Sequence, residues 1–95
     1  LATDCSIKYN DEMHFLNFHH LRVFWEIAQA GGLTAAARRI NVAPSTLSVQ
    51  LKELEQRIGS PLFTRENKKL SLTETGRLVR DHCDVIFRTA NELTR

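Results

Sequence analysis

The chain has 95 residues, 42% of them hydrophobic and 25% charged, with a formal net charge of +2. That is room for one small domain with an ordinary globular balance. No apolar run approaches the ~20 residues that a bilayer-spanning helix needs, and the acidic opening LATDCSIKYNDE lacks the basic start of a secretory signal.

Cys5 and Cys83 are too few and too far apart for a disulfide framework, so reduced thiols and a cytoplasmic protein are expected. Residues 1–12 carry Asp4, Asp11 and Glu12 against Lys8, so the remainder holds 12 of the 13 Lys/Arg and 8 of the 11 Asp/Glu, a net of +4. That mildly basic remainder is compatible with a nucleic-acid partner. Residues 1–16 read as a disordered arm or expression extension, with Met13 as a candidate native start.

The first helix is expected from Phe18 to Ala30. Asn17 caps it, Phe18, Leu21, Phe24, Trp25 and Ala28 form one apolar face, and Gly31-Gly32 ends it. A short second helix follows, capped by Thr34 and running from Ala35 to Ile40. Its three consecutive alanines imply close approach of another backbone, Arg38 and Arg39 project outward, and Asn41 closes it in the left-handed conformation.

Pro44 starts the third helix, because a proline at the first helical position loses no hydrogen bond. Ala43 is then a poor cap. Leu47, Leu51, Leu54 and Ile58 make the inward stripe, and Gly59 ends the helix. Ser45, Val49, Lys52 and Gln56 point the other way, flanked by Ser48 on one side and by Thr46 and Glu53 on the other. Gln50 falls nearer the buried edge. Glu53 and Glu55 stand toward the far end of the helix.

Residues 61–73, PLFTRENKKLSLT, change character. Leu62-Phe63-Thr64 and Leu70-Ser71-Leu72 read as two short strands joined by the charged turn Arg65-Glu66-Asn67-Lys68-Lys69. A last helix starts at Thr73, with Glu74 well placed for the helix dipole, and would run roughly 30 Å at 1.5 Å per residue. Leu78, Val79, His82, Val85, Ile86, Phe87, Ala90 and Leu93 form an apolar surface wider than one small domain covers. Self-association through Leu78, His82, Val85, Ile86, Ala90 and Leu93 is expected.

This order is that of a mainly α winged helix-turn-helix: residues 17–72 form the domain and 73–95 a linker or dimerisation helix. At four places it resembles the LysR-type transcriptional regulators: Phe24 to Ile40 (F-x-x-I-A-x-A-G-G-L-T-A-A-A-R-R-I), 47–59 (L-S-V-Q-L-K-E-L-E-Q-R-I-G), 61–65 (P-L-F-T-R) and 72–76 (L-T-E-T-G). It departs at the turn, where the family commonly reads V-S-Q-P-A-V-S and this chain has Val42-Ala43-Pro44-Ser45-Thr46-Leu47-Ser48. That early proline, with Phe24-Trp25, is similar to the sodium/proton antiporter regulators of the family. The molybdate-responsive regulators have a similar helix-turn-helix, but L-T-E-T-G and the long last helix favour the LysR type. The resemblance implies binding of double-stranded DNA as a homodimer or tetramer. The third helix would lie in the major groove, and the wing would touch the neighbouring backbone or minor groove. It also implies an effector-binding domain after this one, so the chain looks like a DNA-binding fragment.

A surface meant for the major groove offers donors, acceptors and methyls at close range and keeps acids away from phosphate. Pro44, Ser45, Thr46, Ser48 and Val49 meet that description, Val49 as a thymine-methyl contact. Taken alone, the same face is that of a solvated helix; within the winged-helix order it becomes a reading face. Arg38, Arg39, Lys52, Arg65, Lys68 and Lys69 can all reach phosphates and are the expected backbone contacts; for any single lysine the alternative is ordinary solubilising charge, and Arg65 has the better case because it matches the family's L-F-x-R. Thr34 and Thr73 are expected to cap helices and to offer backbone N–H groups to phosphate. His14, His19, His20 and His82 lack metal-ligand spacing, and Phe18, Phe24, Trp25, Phe63 and Phe87 suit packing better than base stacking. No nucleophile–base pair, carboxylate pair or glycine-rich phosphate loop is present, so no catalysis, metal or cofactor is expected. The competing class is a winged-helix module that assembles with protein through its last helix and does not bind DNA.

Overall fold

The computed structural model describes residues 16–66 and 69–94. The expected arm, apart from Leu16, and the expected phosphate contact Lys68 lie outside them. Four helices and one hairpin follow in the order α1 (Phe18–Ala30), α2 (Leu33–Ile40), α3 (Pro44–Ile58), β1 (Phe63–Glu66), β2 (Lys69–Leu72) and α4 (Glu74–Leu93).

Asn17 starts α1 as its pattern requires. The Oδ1 of Asn17 accepts from the backbone N–H groups of His19 and His20 at 2.8 and 3.3 Å. Gly31 ends the helix at φ +85°, a conformation costly for any residue with a Cβ. The second helix differs from expectation. It begins at Leu33 after Gly32, and Thr34 is already helical and exposed, without a capping role. Gly32 takes the non-helical position, and its carbonyl accepts from the Ala36 N–H at 3.1 Å. The two glycines thus complete the reversal between α1 and α2 without using Thr34. Ala36 and Ala37 are buried where the helices meet.

Asn41 is the only non-glycine residue with positive φ among those described. Its N–H and that of Val42 both donate to the Ala37 carbonyl, which closes α2 and turns the chain into Pro44. The stripe on α3 is inward as expected: Leu47, Leu51 and Leu54 are buried and Ile58 packs against them. Gly59, also left-handed, ends the helix.

The hairpin is tighter than the sequence suggested. Pairing runs from Phe63 with Leu72 to Glu66 with Lys69. Arg65, Glu66 and Lys69 therefore sit in strands rather than in the turn. Leu62, expected in the first strand, lies before it and is fully buried. Leu62 is the joint of the fold. Its N–H donates to Glu55 Oε2 at 2.8 Å, and its carbonyl accepts from the Thr73 N–H at 3.0 Å. Thr73 caps α4 through Oγ1, which accepts from Gly76 N–H at 2.9 Å and donates to the Pro61 carbonyl at 2.8 Å. A Cβ at Gly76 would collide with the Leu62 carbonyl oxygen and meet Leu72 Cδ2 at 3.1 Å. No side chain but hydrogen fits there.

The core is centred on α1, which contacts the other three helices. Phe24 and Ile27 are fully buried, and the ring of Phe24 lies 5.3 Å from that of Phe63. Trp25 stacks on Phe87 at 4.9 Å and donates its Nε1–H to Asp84 Oδ1 at 2.8 Å, which fixes the direction of α4. Val79, Ile86 and Phe87 pack against the core, so the apolar surface of α4 is divided between two faces. Cys83 is part of the inner one and is fully buried. Burial first, then the charge of Asp84, pushes its thiol up to about 11, so the reduced state expected from cysteine count is accompanied by an inert thiol.

Candidate nucleic-acid interface

The first turn of α3 presents Pro44, Ser45 and Thr46, all exposed, and carries no acid. One turn on, Val49 is 57% exposed although aliphatic, while Ser48 is half-buried beside it. Lys52 is exposed farther along. These positions follow from the leucine stripe: once Leu47, Leu51 and Leu54 are anchored against α1, the opposite side of α3 is outward.

The helix ends differ in a way that matters for an anion. The starts of α1 and α4 are capped by the side chains of Asn17 and Thr73, whereas Gly32 before α2 and Ala43 before α3 make no side-chain cap. The first N–H groups of a helix are unpaired within it and carry the positive end of its dipole. At α2 and α3 that potential is not used by a capping side chain.

Cationic side chains lie on the flanking elements. Arg38 on α2, Lys52 on α3, Arg65 on β1 and Lys69 on β2 are exposed, and no ion pair among the described residues engages them. Arg39 is different. Its Nη2 lies 3.5 Å from Oε1 of Glu26, whose buried carboxylate also faces Arg22 at 3.6 Å. It thus ties α2 to α1 as well as facing solvent. Thr34 is exposed at the start of α2, and the hydroxyl of Thr73 is spent on Pro61 and Gly76.

His20, absent from the expected surface, borders it, beside Glu53, which the spacing puts on its flank. A shallow depression beside α3 is lined by Ser45, Thr46, Val49 and Gln50 together with His20 and Glu53. The Nε2 of His20 lies 3.4 Å from Oε1 of Glu53. Glu53 therefore does not stand apart at the far end of the helix. His20 lies 33 positions before Glu53 in sequence, and no local pattern marks it for this surface. Gln50 is half-buried, and its Oε1 is buried without a hydrogen-bond partner among the described residues.

On α4 a second outward face carries Leu78, His82, Val85 and Leu93, with Leu78 60%, Val85 53% and Leu93 83% exposed. Ile86 turns toward the core, and Ala90 is exposed beyond the packed part of the helix. No helix of the described residues is long and apolar enough to cross a membrane.

A model of the family described as "Bacterial regulatory helix-turn-helix protein, lysR family" matches residues 18–77. Among curated relatives, a "Small neutral protease regulatory protein" of Streptomyces coelicolor is 45% identical over 80 residues, covering 84% of this chain and 24% of that protein. The "Transcriptional activator protein NhaR" of Escherichia coli is 32% identical over 81 residues, covering 85% of this chain and 27% of that protein. The chain thus spans about a quarter of the length of these relatives. Among solved structures, a CbnR_DBD–DNA complex is 28% identical with a TM-score of 0.75, over 83% of this chain and 91% of that one.

Proposed function

We propose, from the premise that this chain belongs to the lysR family of bacterial regulatory helix-turn-helix proteins, that it is the sequence-specific DNA-binding module of a transcriptional regulator. The N-terminal half of α3 lies in the major groove, where Ser45, Thr46, Ser48 and Val49 meet base edges. Arg38, Lys52, Arg65, Lys68 and Lys69 hold phosphates, as do the uncapped helix starts near Thr34 and Pro44. Thr73 positions the wing rather than touching the duplex. The observation that carries this reading is the coincidence of an acid-free, uncapped start of α3 with Lys52 farther along that helix and Arg38, Arg65 and Lys69 on three other elements, all exposed and in no ion pair among the described residues.

The outward face of α4 pairs with a second copy through Leu78, His82, Val85 and Leu93. Two copies related by a two-fold axis place their α3 helices in major grooves about 34 Å apart, or a multiple of it. The family and its relatives are regulators rather than catalysts, and the module works in the cytoplasm, where the bacterial chromosome is.

The test is the salt dependence of binding to duplex DNA. The logarithm of the association constant should fall linearly with the logarithm of salt concentration, with a slope of about −0.9 per neutralised phosphate. Lys69→Ala should weaken all sequences alike and reduce that slope by about one phosphate. A flat salt response sinks the reading and favours a protein-assembly module built on α4.

A further inference from the structure

We infer that Glu53 is a specificity-determining residue of the α3 surface, positioned by His20 so that its carboxylate accepts a hydrogen bond from the exocyclic amine of a cytosine. The inference rests on the reading of α3 as the element in the major groove. Ser45, Val49 and Glu53 are spaced four residues apart and succeed one another along one side of the helix. Glu53 shares its depression with both of them and with Thr46, and it is the one acid lining it. It is therefore the charged acceptor on the surface proposed to read bases.

An acid facing a duplex costs affinity through repulsion by phosphate, unless it is paired or makes a contact that offsets the loss. His20 lies against that carboxylate and orients it. Its side chain is 18% exposed and so is confined by packing between α1 and α3, whereas the Glu53 side chain is 56% exposed and reaches outward. One carboxylate oxygen, Oε1, faces Nε2 of His20 at 3.4 Å. Oε2 is left for a donor from the duplex. An ionised carboxylate only accepts hydrogen bonds. In the major groove cytosine offers the N4 amine with no acceptor beside it, whereas the N6 amine of adenine stands next to its N7 acceptor, and guanine O6 and N7 and thymine O4 are acceptors that such a group rejects. The chemistry of this patch asks for donors.

The experiment selects preferred duplexes from a randomised pool with the full 95-residue chain, then repeats the selection with Glu53→Ala, Glu53→Gln, His20→Ala and His20→Gln. Glu53→Ala should lose a preference for cytosine of roughly 10-fold or more at one position per half-site, with the other positions and the salt slope unchanged. His20→Ala should weaken the same position and no other, and His20→Gln should restore part of it. Glu53→Gln should alter the preferred base there, because an amide both donates and accepts. A Glu53→Ala chain that binds every sequence more tightly by one common factor, with a steeper salt slope, overturns the inference: the acid would then be only a repulsive charge. Unchanged selection by both alanine variants overturns it too, leaving the pair as a strut between α1 and α3. A wild-type chain that selects no site at all removes the α3 interface and this inference together.

Discussion

Helices α3 and α4 each bury one face and expose another, and the exposed faces are opposites. The start of α3 has no acid and no capping side chain, and shows Ser45, Thr46 and Val49 outward. The start of α4 has Glu74 in its first turn and a cap from Thr73, and its outward face carries Leu78, Val85 and Leu93. An uncharged polar surface at an unused helix N-terminus suits a polyanion with hydrogen-bonding edges. An apolar stripe on a helix whose ends are internally satisfied suits another apolar stripe. The same domain thus carries these two outward surfaces on separate helices, joined through Leu62, Thr73 and Gly76.

Breaking that joint should have the largest effect, because both faces depend on it. Gly76→Ala places a methyl group into the Leu62 carbonyl and against Leu72. A backbone atom cannot yield as a side-chain tip can, so a loss of about 3 kcal/mol of folding stability is expected, read as a fall in the midpoint of urea unfolding. A variant as stable as the wild type would mean that the wing and α4 move independently of each other.

Damage to one face alone should follow in size. Leu78→Asp with Val85→Asp puts repeated like charges across a two-fold contact while leaving the core untouched. The chain should stay folded by circular dichroism and become monomeric by sedimentation. Its apparent affinity for a two-half-site duplex should drop about 100-fold, as linked binding is lost, with base preference at each half-site retained. The converse experiment acts on α3. Ser45→Ala or Val49→Ala should leave the oligomer intact and relax the preference at a single base pair by about 1 kcal/mol, measured by competition between single-base variants of the site. If all three changes weaken binding uniformly, the two helices do not divide the work.

The parts of this arrangement that were legible in the sequence are those set by local spacing. Asn17, Gly31, Asn41 and Gly59 mark helix ends because single-residue conformational preferences decide them. The leucine stripe of α3 sets its outward side by periodicity alone. Thr34 misled because a threonine before an alanine run is an acceptable cap, while two preceding glycines can make the same turn without it. The turn reads too wide from sequence because Thr64, Arg65 and Glu66 are all exposed, so the first strand shows no alternation there, and Lys69 is an exposed first residue of the alternating strand that carries Leu70 and Leu72. The joint was hidden for a different reason. Glu55 with Leu62, and His20 with Glu53, are contacts between side chains or backbone of different elements, and nothing in either local pattern encodes the meeting. On α4 the apolar positions were found, but their division into inner and outer faces needed the direction that Trp25 and Asp84 impose.

The inner face of α4 gives the smallest effect and sharpens the contrast with the outer one, since it is silent at neutral pH. Cys83 is buried, and its thiol is raised from 9.0 to about 11 by that burial and then by Asp84. The folded state therefore keeps the proton over a range in which the unfolded chain releases it. The sign follows by linkage: the stability associated with this group is complete below about pH 9 and is lost as pH rises toward 11. Urea unfolding measured from pH 8 upward, in a Cys5→Ser background, should show this decline. Cys83→Ala should remove that part of the decline while lowering stability modestly at every pH through the small void it leaves. The native thiol should also react slowly with a disulfide reagent at neutral pH, at a rate set by opening of the α1–α4 contact. Fast modification, or an alkaline decline identical in both variants, would place Cys83 on the outer side of the helix and dissolve the distinction between the two faces of α4.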